Sequence, residues 1–71
     1  MTKLPFISIV SLNWNSKEDT LRLLSSIVRS DYSKDKYEVI VVDNGSGDGS
    51  VDEISKKFPK TRIISLKKNF G

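Results

Sequence analysis

Two short polar stretches hold the side chains with which this chain could do chemistry: Leu12-Asn13-Trp14-Asn15 and Asp43-Asn44-Gly45-Ser46-Gly47-Asp48-Gly49-Ser50. Each follows an apolar run directly. The chain contains neither Cys nor His, which excludes a disulfide framework, a thiolate or imidazole metal site, and a Ser/His or Cys/His nucleophile pair. Carboxylate and amide chemistry remains. Asp43 can accept hydrogen bonds from ribose hydroxyls or a base N–H, Trp14 offers a ring for stacking, and Gly45, Gly47 and Gly49 let backbone amides turn outward. The competing reading is a plain Asx-type turn, with Asp43 and Ser46 capping the backbone. In the same way, Trp14 reads as a rim hydrophobe, and Asn13 and Asn15 as residues that break a strand ahead of a helix N-cap.

Known loop motifs can be tested against the second stretch. Ser50 stands where the third glycine of G-x-G-x-x-G should be, so the dinucleotide fingerprint fails, and no Gly-Lys-Ser/Thr follows for a Walker loop. A calcium loop comes closer, since Asn44, Ser46, Asp48 and Gly49 mimic its positions 1, 3, 5 and 6. Ser55 then occupies position 12, where a bidentate Glu is required, and a strand rather than a helix leads in.

The elements that must position these loops follow from periodicity. Phe6 to Leu12 is rich in β-branched residues with small polar ones between them and follows Pro5, the pattern of a strand. From Lys17 to Ser30, Leu21, Leu24 and Val28 fall on one helix face, with Leu23 and Ile27 beside them and Ser16 placed as N-cap. Val39 to Val42 is continuously apolar, as in a central parallel strand covered on both faces. Ser50-Val51-Asp52-Glu53 fits a capping box, and Val51, Ile54 and Phe58 give the following helix an inward stripe that Pro59 ends. A third strand is expected at Arg62 to Leu66. The order is β-α-β-α-β, an α/β fold with a three-stranded parallel sheet and right-handed crossovers. Strands laid down successively in one direction place both helices on one face and leave the other bare. The expectation is therefore half of a larger domain, or a chain that self-associates through that face.

At 71 residues one domain or a piece of one is expected, with a thin core. The longest apolar runs are far short of the roughly 18 residues that span a bilayer, and the first residues make a poor signal peptide. The expected location is cytoplasmic, with the cytoplasmic membrane face open to a longer protein. A net charge of +3 is concentrated in Lys56, Lys57, Lys60, Arg62, Lys67 and Lys68, which read as a solvated face. The other use of such a face is to attract a phosphorylated ligand or an anionic surface.

The segments ISIVSLNWN, YEVIVVDNGSGDGS and IISLKKNFG, in this order and covering about Phe6 to Gly71, resemble the opening of family 2 glycosyltransferases. These are enzymes of the GT-A fold that use nucleotide-diphosphate sugars. The resemblance implies that residues 1–71 are the N-terminal, Rossmann-like part of a nucleotide-sugar-binding domain. By that likeness Leu12, Asn13 and Trp14 would line the nucleotide pocket beneath the base, Asp43 would hold the nucleoside, and Asn69-Phe70-Gly71 would start the loop that passes the sugar-diphosphate. Many members carry two consecutive acids after the second strand, the second reading the base. Here the pair is Asp43-Asn44, and because an amide both donates and accepts, the base is left open. The NWN and DNGSGDGS segments resemble the rhamnosyltransferase and cell-surface polysaccharide branch. The family's metal-binding Asp-x-Asp and its catalytic base lie beyond the residues of this chain. The resemblance thus implies a divalent metal, Mn or Mg, in the complete enzyme but not on this chain, which by itself should be inactive.

The implied partners are a nucleotide-sugar, a glycan or lipid-linked acceptor, and the remainder of the catalytic domain. Two alternatives come from other classes. One is a non-catalytic α/β binding module for a phosphorylated ligand or calcium. The other is a nucleic-acid binder built on the C-terminal lysines, which the missing aromatic spacing argues against.

Overall fold

The computed structural model describes residues 4–66. Strand β1 (Ile7–Asn13) leads to helix α1 (Lys17–Val28), then through a 3-10 turn at Lys34–Lys36 to β2 (Tyr37–Asp43), helix α2 (Ser50–Lys57) and β3 (Arg62–Ser65). The sheet order is β1-β2-β3, with both pairs parallel. The central position of β2 agrees with its unbroken apolar run.

Register assigns the faces. Ser11, Val41 and Ile63 lie side by side, and so do Leu12, Val42 and Ile64 one residue further on. Because side chains alternate along a strand, the two rows point to opposite faces. Val41 packs with Leu24 of α1 and Ile54 of α2 in the fully buried core, with Leu21, Ile27, Val39, Phe58 and Ile63 around it. Both helices therefore cover the Val41 face. On the other face Val10 and Leu12 are 61% and 78% exposed, and Ile64 is also open. The bare face expected from the connectivity is present among the described residues. The double cover suggested by the β2 run is not, and Ile40 and Val42 are shielded only in part.

Several local expectations need correction. β1 starts at Ile7 and continues through Asn13, α1 ends at Val28, and β3 ends at Ser65. Ser16 is at the N-cap position of α1, but its hydroxyl donates to the Trp14 carbonyl (2.9 Å) and caps nothing. The capping box at Ser50 does not form. The N-cap of α2 is Gly49, with φ of 77°, and Ser50 is the first helical residue. Ser50 is unavailable for capping because its oxygen accepts a hydrogen bond from the Asn13 amide (2.7 Å). At the far end of α2, Phe58 leaves helical geometry at φ −131° and ψ 70°, as a residue before proline must.

Candidate nucleotide site at the carboxyl ends of the strands

Asn13 and Asp43 end their strands and are register partners. The ladder runs one bond further, since the Asn44 N–H donates to the Asn13 carbonyl (2.9 Å) and the Leu66 N–H to the Asp43 carbonyl (2.8 Å). Their side chains share the helix face, in the fork between the N-terminal ends of α1 and α2. In an open α/β sheet ligands bind beyond the carboxyl ends of the strands, the end at which this fork lies.

A buried network fills its base. The Asn13 Nδ2 donates to Asp43 Oδ1 (2.7 Å) and to Ser50 Oγ (2.7 Å), with Ser46 Oγ at 3.1 Å. Its Oδ1 accepts from the Thr20 hydroxyl (2.6 Å). The second carboxylate oxygen of Asp43 accepts the Ser46 N–H (3.1 Å). The loops are tied together above this. The Asn15 N–H donates to Ser46 Oγ (2.9 Å), and the Gly47 N–H donates to Asn15 Oδ1 (2.7 Å). Asn15 holds this geometry at a positive φ of 50°, a conformation that Asn tolerates better than most residues.

Asp48 joins the two helix starts. One of its oxygens accepts the Lys17 N–H (3.1 Å) and the other the Ser50 N–H (3.0 Å), so one carboxylate serves the otherwise unpaired first donors of both helices. Hydrogen bonds from the Ser50 hydroxyl, opposed by partial burial and supported by the Ser50 and Lys17 N–H groups, hold its carboxyl below the ordinary value. For Asp43, burial pushes the carboxyl up, but the Ser46 hydroxyl, the Asn13 amide and the Ser46 N–H outweigh it against a small opposing effect of Asp48. The net direction is downward, which keeps Asp43 an acceptor at neutral pH.

The residues singled out from sequence fall into distinct places. Asp43 is only 3% exposed and Asn13 is fully buried, while Leu12 lies on the open sheet face and Trp14 is 53% exposed at the strand end. Leu12 and Asn13, being consecutive in a strand, cannot present side chains to the same face. Asn44 is half-buried beside Asp43. Asn69 and Gly71 lie outside the described residues. Sequence reasoning passed over Thr20, and it read Ser46 as a turn cap and Ser50 as a helix cap rather than as partners of Asn13. A signal existed for Thr20: it lies four residues before Leu24, so it is a polar residue on the buried stripe of its helix.

Among the described residues no three His, Cys, Asp or Glu side chains gather to hold a metal ion, and none of their helices is long and apolar enough to cross a membrane. Asp43 and Asp48 are two carboxylates that already accept N–H groups, too few for the oxygen shell of a divalent cation.

The profile of Glycosyl transferase family 2 matches residues 8–71. The glycosyltransferase AglE of Haloferax volcanii is 44% identical over 55 residues, covering 78% of this chain and 18% of that protein. An N-acetylglucosaminyltransferase of Bradyrhizobium sp. is 38% identical over 73 residues, covering 96% of this chain and 47% of the relative. Among solved structures, S. aureus TarS 1-349 superposes with a TM-score of 0.84 at 29% identity, over 93% of this chain and 20% of that one. The mannosyltransferase PcManGT of Pyrobaculum calidifontis, in complex with GDP-Man and Mn2+, gives a TM-score of 0.76 at 27% identity, over 99% of this chain and 22% of that one. With its parallel α/β sheet and these GT-A neighbours, the chain belongs to glycosyl transferase family 2. It spans less than half the length of these relatives.

Proposed function

We propose that residues 1–71 form the nucleotide-holding part of a glycosyltransferase that moves a sugar from a nucleotide-diphosphate donor to an acceptor hydroxyl. The observation that carries this reading is the Asp43 carboxylate. It ends the central strand at the base of the crevice, its carboxyl lies below the ordinary value, and its oxygens accept from the Asn13 amide, the Ser46 N–H and the Ser46 hydroxyl. A carboxylate offers about four acceptor sites, so one remains for a ribose hydroxyl or a base N–H. Trp14, exposed at the end of the neighbouring strand, supplies an aromatic surface for the base, with Leu12 on the open-face side and Asn44 beside the carboxylate; the family resemblance alone assigns Asn69 and Gly71 to the diphosphate. The GDP-Man bound by PcManGT supports a donor of this class.

The chain's own residues bind and orient the nucleoside. The acceptor's proton and the charge of the leaving diphosphate require a carboxylate base and a divalent Mn or Mg held by an Asp-x-Asp, both supplied by further sequence. Such a metal would act as a Lewis acid at the diphosphate. The remainder of that domain, or a second copy, would cover the open sheet face, and a glycan or lipid-linked acceptor would approach on the cytoplasmic side. The calcium-module alternative loses its main ligand, since both oxygens of Asp48 are engaged by backbone N–H groups.

Calorimetric titration with UDP and with GDP tests the reading. Binding of at least one is expected, with loss of about tenfold or more in Asp43→Ala, as removing a hydrogen bond to a charged group costs about 1.5–3 kcal/mol. Equal affinity in wild type and variant would sink the role of Asp43.

A further inference from the structure

We propose that Asn13 is a positioning residue that holds the Asp43 carboxylate without touching the nucleotide itself, and that the Thr20 hydroxyl steadies the Asn13 amide by donating to its other end. The inference rests on the nucleotide reading above and adds to it two side chains with distinct tasks. Burial gives the first argument. Asn13 is fully buried, its amide spends its two ends on Asp43, Ser50 and Thr20, and the Thr20 hydroxyl is turned inward onto it, so neither side chain is placed to meet a ligand.

Valence gives the second. An ionised carboxylate only accepts, so Asp43 must meet the NH2 end of the amide, and the carbonyl end must then point the other way. There it meets the Thr20 hydroxyl at 2.6 Å, which can donate. The amide has two hydrogens, and its short contacts are with Asp43 Oδ1 and Ser50 Oγ, at 2.7 Å each. One planar group therefore fixes the end of β2, the start of α2 and the first turn of α1 relative to one another. Without the Thr20 hydroxyl the buried Asn13 carbonyl oxygen loses this donor, and the amide is held less firmly against the carboxylate. The charged neighbour facing Asp43 from the loop is Asp48, a like charge that the Asn13 donor must outweigh.

The test separates this support from the nucleotide reading. The carboxyl carbon of Asp43 is followed by NMR as pH is varied, and UDP and GDP affinities are measured on the same samples. Thr20→Val keeps the shape and removes the hydroxyl, Thr20→Ser restores it, and Asn13→Leu removes both ends of the amide. The Asp43 midpoint should rise in Thr20→Val and in Asn13→Leu, and nucleotide affinity should fall about tenfold to a hundredfold. Thr20→Ser should return both to the wild-type values, which a general loss of stability would not do. An Asp43 midpoint unmoved in Thr20→Val, or in Asn13→Leu should the first variant not fold, overturns the proposal. A moved midpoint with unchanged affinity overturns the functional link if Asp43→Ala has lost binding. If Asp43→Ala still binds, that result sinks the nucleotide reading alone and leaves the support of Asp43 standing.

Discussion

Asp48 shows how one side chain in a loop can set the spacing of two helices. Because its two oxygens accept from the first residues of α1 and α2, Asp48→Asn keeps one acceptor and turns the other position into a donor facing a donor. The carboxyl lies below its ordinary value of 3.8 in the folded chain. Its contribution is thus complete above the unfolded value and is lost as pH falls through the folded one. Asp48→Asn should therefore lower the urea midpoint at pH 7, and the gap to wild type should narrow in acid. An equal gap at both pH values would contradict the double cap. At this scale the sequence identified Asp43 and Asp48 as the acids of a polar loop. It did not reveal Thr20 or Ser50, because a hydroxyl on a helix acquires a task only from what packs against it.

The elements were legible where hydrophobic period decided them and misread where a single polar atom did. The stripe of Leu21, Leu24 and Val28 and the run Val39 to Val42 located α1 and β2. The start of α2 slipped by one residue, because Ser50 satisfies a capping pattern locally while Asn13, 37 residues away in sequence, engages its oxygen. Gly49 takes the N-cap place with a positive φ of 77°, and a Cβ there would meet nothing within 4 Å. The cost of a side chain at Gly49 is therefore backbone strain alone, about 1–2 kcal/mol. Gly47 likewise has open space around a Cβ and no positive φ. Gly49→Ala should lower unfolding free energy by about 1 kcal/mol or more, while Gly47→Ala should be neutral or gain up to about 1 kcal/mol from a stiffer unfolded chain. Equal effects in chemical denaturation would show that the α2 start does not depend on the left-handed residue.

For the whole molecule, the governing feature is a sheet covered on one side. Among the described residues the fully buried apolar side chains are Leu24, Val41 and Ile54, each contributing about 1.5–3 kcal/mol, which is little against the ordering of a chain this long. Val10, Leu12 and Ile64 remain open on the far face. The isolated chain should associate as its concentration rises, and Val10→Thr with Leu12→Thr should shift it toward monomer while keeping β-branched residues in β1. Sedimentation equilibrium reads this directly, and a wild-type chain monomeric at high concentration would contradict it. The sequence by itself determined the order of elements, the central place of β2 and the one-sided cover, because period and crossover handedness depend on neighbours along the chain. Three motifs in order also sufficed to mark the family. Only the tertiary structure decided that Asn13 and Asp43 face the helices while Leu12 faces away, and that one buried amide joins Thr20, Asp43 and Ser50. Those facts depend on strand register and on hydrogen bonds between distant residues, which local pattern does not encode.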